Sequence, residues 1–331
     1  MGGAGARGGA CILLSHALLA PLTGLALLAF AGGVGADAPA ATEKALAKIR
    51  SLRPMLLDVA SAGARLVAVG ERGTVLVSDD RGQSWRGAQT PTSATLTAVY
   101  FHDARHGWAV GHDAVILRTQ DGGETWALVH SAPREEKPLL DVWFASADSG
   151  IAVGAYGLAY ATQDGGRSWR PLKVLADDMH LNALARGSGG RLYIAGEAGT
   201  LARSTDGGRS WSRLPSPYRG SYFGMLALPD GTLLLHGLRG KIHRSTDDGR
   251  SWTPVESGTQ ANLLGGAVLD DGAVVLVGYD GVILVSRDQG RRFALSRDAE
   301  GKALAAAAAA GPETLLLFGE GGVTRHPLKR P

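Results

Sequence analysis

Six copies of one octapeptide recur at a nearly constant interval, and that interval restricts the fold more than anything else in the chain. The copies run Ser78–Trp85, Thr119–Trp126, Thr162–Trp169, Ser204–Trp211, Ser245–Trp252 and, more loosely, Ser286–Phe293. The first five read Ser/Thr-x-Asp-x-Gly-x-Ser/Thr-Trp. Their aspartates, Asp80, Asp121, Asp164, Asp206, Asp247 and, in the looser copy, Asp288, are spaced 41, 43, 42, 41 and 41 residues apart. A unit repeated at that period cannot bury its apolar faces alone and must stack on its neighbours.

The octapeptide is built for a turn. Asp accepts hydrogen bonds from backbone N–H groups just ahead of it, Gly reaches φ > 0 without steric cost, and Trp pins the turn to its sheet. Each repeat overlays on four short strands. The inner strands read Leu56–Ala60, Leu96–Phe101, Leu139–Phe144, Leu181–Ala185, Phe223–Leu228, Ala267–Leu269 and Leu304–Ala309. A second strand, a tight Gly-x-x-Gly turn, a third strand, the Asp turn and a fourth strand follow. Four strands per repeat is one propeller blade, and closing the ring buries the first and last faces. The expected fold is therefore all-β: a seven-bladed propeller of four-stranded antiparallel blades over residues 55–331. The seventh blade, from Lys302 onward, lacks an Asp turn. Counting back one repeat spacing from Val59 reaches Lys44, so Lys44–Ile49 within the 37–54 segment reads as the strand that closes the ring by pairing the two chain ends. Thr42–Arg53 also fits a short helix, with Thr42 as N-cap and Ala45, Leu46, Ile49 and Leu52 on one face.

Residues 1–36 read as a secretory signal peptide. Arg7 precedes an uncharged apolar run from Cys11 to Ala31, and small residues end at Ala36. An uncleaved membrane anchor is the alternative reading of that run. Either places the propeller outside the cytoplasm, in a periplasm or comparable exported space. Cys11 is the single cysteine, so the mature chain has no thiol for disulfides, catalysis or metal. A net charge of +3 gives no field strong enough to argue for nucleic acid. No cofactor or metal is expected, and the chain is expected to act as a monomer.

The repeats match the BNR/Asp-box pattern. In one blade Ala98-Val99-Tyr100-Phe101, His106-Gly107-Trp108-Ala109-Val110-Gly111, Ile116-Leu117-Arg118-Thr119 and Asp121-Gly122-Gly123-Glu124-Thr125-Trp126 follow at close spacing. Over about residues 55–326 the chain resembles the photosystem II stability/assembly factor family of seven-bladed propellers. The resemblance implies a non-catalytic scaffold that binds a protein partner, a subunit of a membrane complex. In blades four and five Tyr193 and Leu233 stand where the overlay places Trp108.

Three candidate chemistries are weaker. The box acids are set in six different blades by the repeat and cannot converge on one substrate. A sialidase-like exo-glycosidase or carbohydrate-binding propeller would need an Arg-Ile-Pro-like motif, three converging arginines and a Tyr/Glu pair; no Arg-Ile-Pro occurs, and Arg118, Arg203 and Arg244 before the box and Arg167, Arg209, Arg250 and Arg291 within it recur in register, as a solvated or partner-facing stripe would. His102 and His106 share one surface turn with no further ligand in view. On the inner strands, Asp58 and Asp141 read as bonded to local backbone, with a tunnel-lining role as the alternative.

The informative positions are the Gly-x-x-Gly turns, whose frame is kept while the central residues differ. A meander puts these tips at the end opposite the Asp boxes, together with the blade-to-blade connections. Arg72, His112, Asp113, Tyr156, Arg239, Tyr279 and Asp280 are therefore expected to form one rim around the tunnel mouth and to contact the partner.

Overall fold

The computed structural model describes residues 53–328. The leader (1–36) and the strand-or-helix segment 44–49 both lie outside those residues. Among the described residues are seven sheets, each a meander running from the ring centre outward. Six sheets have four strands and the seventh, built from Leu304–Gly311, Thr314–Gly319 and Gly322–Pro327, has three. No helix among the described residues is long and apolar enough to cross a membrane.

The second strand of each blade carries most of the core. Leu233–Gly237 and Thr314–Gly319 are buried on both faces almost throughout, because each sheet is covered by a neighbour on either side. The clusters accordingly cross blade boundaries. Val67 and Val69 of blade one pack with Val99, Phe101 and Leu117 of blade two. Leu56, Leu66 and Ala68 of blade one pack with Ala306, Leu316 and Phe318 of blade seven, and this contact closes the ring. Each fully buried aliphatic side chain contributes about 2 kcal/mol by transfer from water.

Each Asp box locks itself in the same way. In blade four Ser204 Oγ donates to Asp206 Oδ1 at 2.7 Å, Gly208 N donates to Ser204 Oγ at 2.8 Å, and Ser210 N donates to Asp206 Oδ1 at 2.9 Å. Trp211 Nε1 then donates to Gly208 O at 3.0 Å, a bond that Trp126 and Trp169 repeat in their boxes and that Trp85 and Trp252 do not make. The box glycine has a second task. A Cβ on Gly208 would stand 2.1 Å from Ile151 Cδ1, on Gly166 2.6 Å from Trp108 Nε1, on Gly290 2.4 Å from Leu234 Cδ1, and on Gly82 2.3 Å from Leu316 Cδ1. In every case the side chain met belongs to the preceding blade, so the box is an inter-blade joint as well as a turn. This register makes Leu234 the blade-five counterpart of Trp108, one residue beyond Leu233.

Two further expectations change. The inner strand of blade six is Leu263–Val268, four residues earlier than Ala267–Leu269. Gly265 and Gly266 hide it from a propensity reading. They are needed because a Cβ on Gly265 would stand 1.9 Å from Ala305 O of the next blade. The register arginines do not form one solvated stripe: Arg167, Arg209, Arg250 and Arg291 within the boxes are exposed, whereas two of those before the box reach inward. Arg203 Nη1 donates to Asp248 O at 3.4 Å and Arg244 Nε to Gln289 O at 3.0 Å, each on the box of the following blade. Arg325 Nη1 does the same to Gly82 O at 3.2 Å across the ring closure.

Candidate functional site

The Gly-x-x-Gly frame is set by a backbone clasp that recurs in all seven blades. The first residue inside the frame donates its N–H to the carbonyl just before the inner strand: Glu71 to Met55, His112 to Thr95, Ala155 to Pro138, Glu197 to His180, Leu238 to Ser221, Tyr279 to Asn262 and Glu320 to Ala303, at 2.9 to 3.1 Å. That carbonyl passes directly over the first glycine. A Cβ there would lie about 2 Å from it, as for Gly111 and Thr95 O at 2.0 Å. The first glycine thus answers to close approach, since its φ of −176° is ordinary extended backbone. The second answers to φ: Gly73, Gly157, Gly199, Gly240 and Gly281 all lie at positive φ, and blade two puts Ala114 there at φ 50°.

Between the glycines the chain enters the left-handed region at Arg72 (φ 55°), Asp113 (58°), Tyr156 (54°), Ala198 (51°), Arg239 (57°) and Asp280 (58°). All six are exposed. A side chain in that conformation costs on the order of 1 kcal/mol relative to glycine, and six blades accept it. Five of the seven expected rim residues occupy this position; His112 and Tyr279 sit one residue earlier, His112 exposed and Tyr279 half-buried. These turns share one end of the ring with the connections: Gly157 N donates to Met179 O at 3.0 Å and Arg239 N to Asn262 Oδ1 at 2.9 Å.

The seven residues share a face without forming one cluster. Tyr156 packs edge-on against His180, with centroids 4.6 Å apart. Tyr279 and Asp280 line a separate cleft between blades six and seven. Sequence reasoning put the connection Asp177–His180 at this end but missed the contact of His180 with Tyr156, and missed Asn262 altogether, because nearness to Tyr156 and Arg239 depends on how each connection crosses the next turn. It also missed the caps: Glu71 Oε1 accepts from Met55 N at 3.3 Å, Glu197 Oε2 from His180 N at 3.2 Å and Glu320 Oε2 from Ala303 N at 3.4 Å. The signal was available as a glutamate at the first turn position in three blades.

The box acids are turn anchors. The Ser84 hydroxyl and backbone N–H hold Asp80 down to about 2, and the Ser251 hydroxyl and N–H do the same for Asp247. Such carboxylates cannot serve as general acids near neutrality. Asp103 likewise spends its carboxylate on Arg105 N, His106 N and His106 Nδ1, and among the described residues no group of three acids or histidines could hold a metal ion.

Both alternatives for Asp58 and Asp141 hold. Each carboxylate lines the central tunnel, a space of about 260 Å³, and each bonds backbone. Asp58 accepts from Val59 N at 2.8 Å and from Val99 N of the next blade at 2.9 Å; Asp141 accepts from Val142 N and Leu184 N, both at 2.7 Å. Burial raises Asp58 to about 6 and Asp141 to about 7, the latter also through repulsion from Asp58. Both folded values exceed the unfolded one, so this pair's contribution to stability is largest below about pH 4 and declines as pH rises to about 7. The other titratable group lining the tunnel is His236, which burial holds down to about 4 and which therefore acts in the opposite sense. Urea titrations at pH 5 and pH 8 should show that Asp58→Asn with Asp141→Asn removes a fall on the order of 4 kcal/mol from the wild-type difference; an unchanged difference would refute the assignment.

Comparisons with known proteins agree with this geometry. The family described as photosynthesis system II assembly factor YCF48 matches residues 83–137 and 131–263, together just over half of the chain. Photosystem II assembly protein Ycf48 of Thermosynechococcus vestitus is 48% identical over 42 residues, 13% of this chain and 12% of its own length. The chloroplastic photosystem II stability/assembly factor HCF136 of Cyanidioschyzon merolae is 38% identical over 80 residues, 22% of this chain and 18% of its own. The aligned stretches thus span under a fifth of either relative. A solved YCF48 bound to a D1 peptide superimposes with a TM-score of 0.68 at 22% identity, covering 84% of this chain and 93% of its own. A virginiamycin B lyase from Staphylococcus aureus reaches 0.71 at 12% identity, covering 83% and 94%, so the ring alone does not separate a scaffold from an enzyme. On the family match and the Asp-box repeats that underlie it, the chain belongs to the photosystem II assembly factor YCF48 family.

Proposed function

We propose that this chain is an exported, monomeric, non-catalytic assembly factor whose loop face holds a segment of a membrane-protein subunit during assembly of its complex. The observation that carries the reading is the rim itself. Six blades keep a strained left-handed turn and place an exposed side chain of one of four types on it, an expense that a purely structural turn avoids by using glycine. Arginine and tyrosine, the residue types most often dominant in interfaces, occupy three of those positions and a fourth neighbouring one. A solved relative carries a D1 peptide, which makes the D1 subunit the first partner to test.

Replacing Tyr156, Arg239 and Tyr279 together by Ala should weaken binding of a labelled D1 peptide by tenfold or more in fluorescence anisotropy, about 1.4 kcal/mol or greater. Replacing Arg209 and Arg250, on the Asp-box face, should leave it unchanged. Equal affinity for the rim variant and the wild type would exclude the rim as the binding surface. Sequencing the N-terminus of the protein recovered from its native compartment tests export with cleavage after Ala36.

A further inference from the structure

The loop face is uneven around the ring. Between blades six and seven it opens into a cleft of about 430 Å³ bordered by Gln260, Asn262, Tyr279, Asp280 and Glu320. The opening exists because two positions lack a sizeable side chain. Three residues and one residue before the inner strand of blade seven stand Gly301 and Ala303. At the same positions before the inner strand of blade four stand Asp178 and His180, and there the His180 ring packs against Tyr156.

The cleft is bordered by two carboxylates without an ion-pair partner among the described residues, beside acceptors already in part used by backbone: Glu320 Oε2 takes Ala303 N at 3.4 Å and Asn262 Oδ1 takes Arg239 N at 2.9 Å. Asp280 and Glu320 contribute carboxylates, Gln260 and Asn262 amides, and Tyr279 a phenol. Three neighbouring cations are engaged elsewhere. Lys302 Nζ donates to Glu300 at 2.7 Å, Arg53 Nη1 reaches the same carboxylate at 3.4 Å, and Arg297 Nη1 donates to the backbone carbonyl of Asp280 at 2.9 Å. Among the described residues no ion pair forms with Asp280 or Glu320. Covering these carboxylates, which no ion pair engages, with an apolar or acidic group would cost desolvation without return, whereas a guanidinium or ammonium would supply the missing ion pair.

Resting on the reading that this face holds a partner segment, we infer that the cleft between blades six and seven receives a cationic side chain of that segment, an arginine or a lysine. The rim then divides the work: Tyr156 with His180 offers an aromatic contact on one side of the ring, and the cleft fixes the segment's register by charge on the other.

The probes are N-acetyl-arginine amide, N-acetyl-lysine amide and uncharged N-acetyl-norleucine amide, titrated into the nitrogen-15-labelled full chain. The cationic probes should shift the backbone signals of Tyr279, Gly301 and Ala303, norleucine should not, and the stronger of the two cations identifies the preferred side chain. Asp280→Asn with Glu320→Gln should abolish the shifts; Asn tolerates the left-handed turn, and an unchanged melting temperature verifies the fold. Unmoved signals with both cations, or equal shifts with norleucine, would overturn the inference. Against the D1 peptide the same variant should lose about tenfold in affinity. A peptide that binds wild type and variant equally removes the cleft but leaves the partner reading in place. Failure of the peptide to bind, with the cation shifts intact, removes D1 and leaves the cleft.

Discussion

Gly111→Ala is expected to destabilise the protein by roughly 3 kcal/mol or more, although Gly111 sits in extended backbone where alanine is otherwise favourable. The added Cβ would lie 2.0 Å from Thr95 O and 2.9 Å from Leu96 Cα. Both obstacles are backbone, so no rotamer change relieves them. Moving Thr95 O breaks the clasp from His112 N at 2.9 Å, and moving Leu96 withdraws a fully buried anchor from the core shared by blades one and two. Gly87→Ala is the control: nothing lies within 4 Å of its Cβ, and its urea midpoint should stay within about 0.5 kcal/mol of wild type. Equal midpoints for the two variants would show that the clasp does not govern the turn.

The second large effect is expected at Trp108. It is completely buried, stacks nearly parallel on Phe144 of blade three, and donates Nε1 to Gly165 O in the blade-three box at 3.1 Å. Trp108→Ala should cost about 4 kcal/mol, the range for emptying a large aromatic site. Trp108→Phe retains most of the apolar contact and leaves Gly165 O without its donor, for a loss of about 1–2 kcal/mol. Chemical denaturation separates the two variants. A phenylalanine variant as unstable as the alanine one would place the energy in the hydrogen bond instead of the packing. Tyr193 supports the pairing of roles, since its hydroxyl reaches Asp248 Oδ1 of the following box at 3.2 Å.

The local rules were legible because each copy of the octapeptide solves the same problem with the same atoms. Asp, Gly and a hydroxyl in fixed order satisfy one turn, and six repetitions leave a closed ring of blades as the economical way to bury every sheet. The blade count, the two ends of the meander and the placement of Arg72, Asp113, Tyr156, Arg239 and Asp280 on one end all follow from that spacing. What spacing could not supply was any relation between residues of different blades. Gly265 and Gly266 look like strand breakers until the neighbouring backbone is seen 1.9 Å from the missing Cβ of Gly265.

The same division explains the site. Which residues tip each turn is a matter of sequence, since the left-handed position falls at a fixed place in every repeat. Which tips meet a neighbour is decided by the connection that crosses beside them, and those connections differ in length and content. His180 closes the space beside Tyr156, Gly301 and Ala303 leave it open beside Asp280, and Arg203 turns inward to the next box. Sequence alone determined that this chain is a ring of repeated hairpins with a constant end and a variable end. Tertiary structure alone decided where that variable end is filled and where it is hollow, because a cavity is set by side chains distant in the chain and adjacent in space.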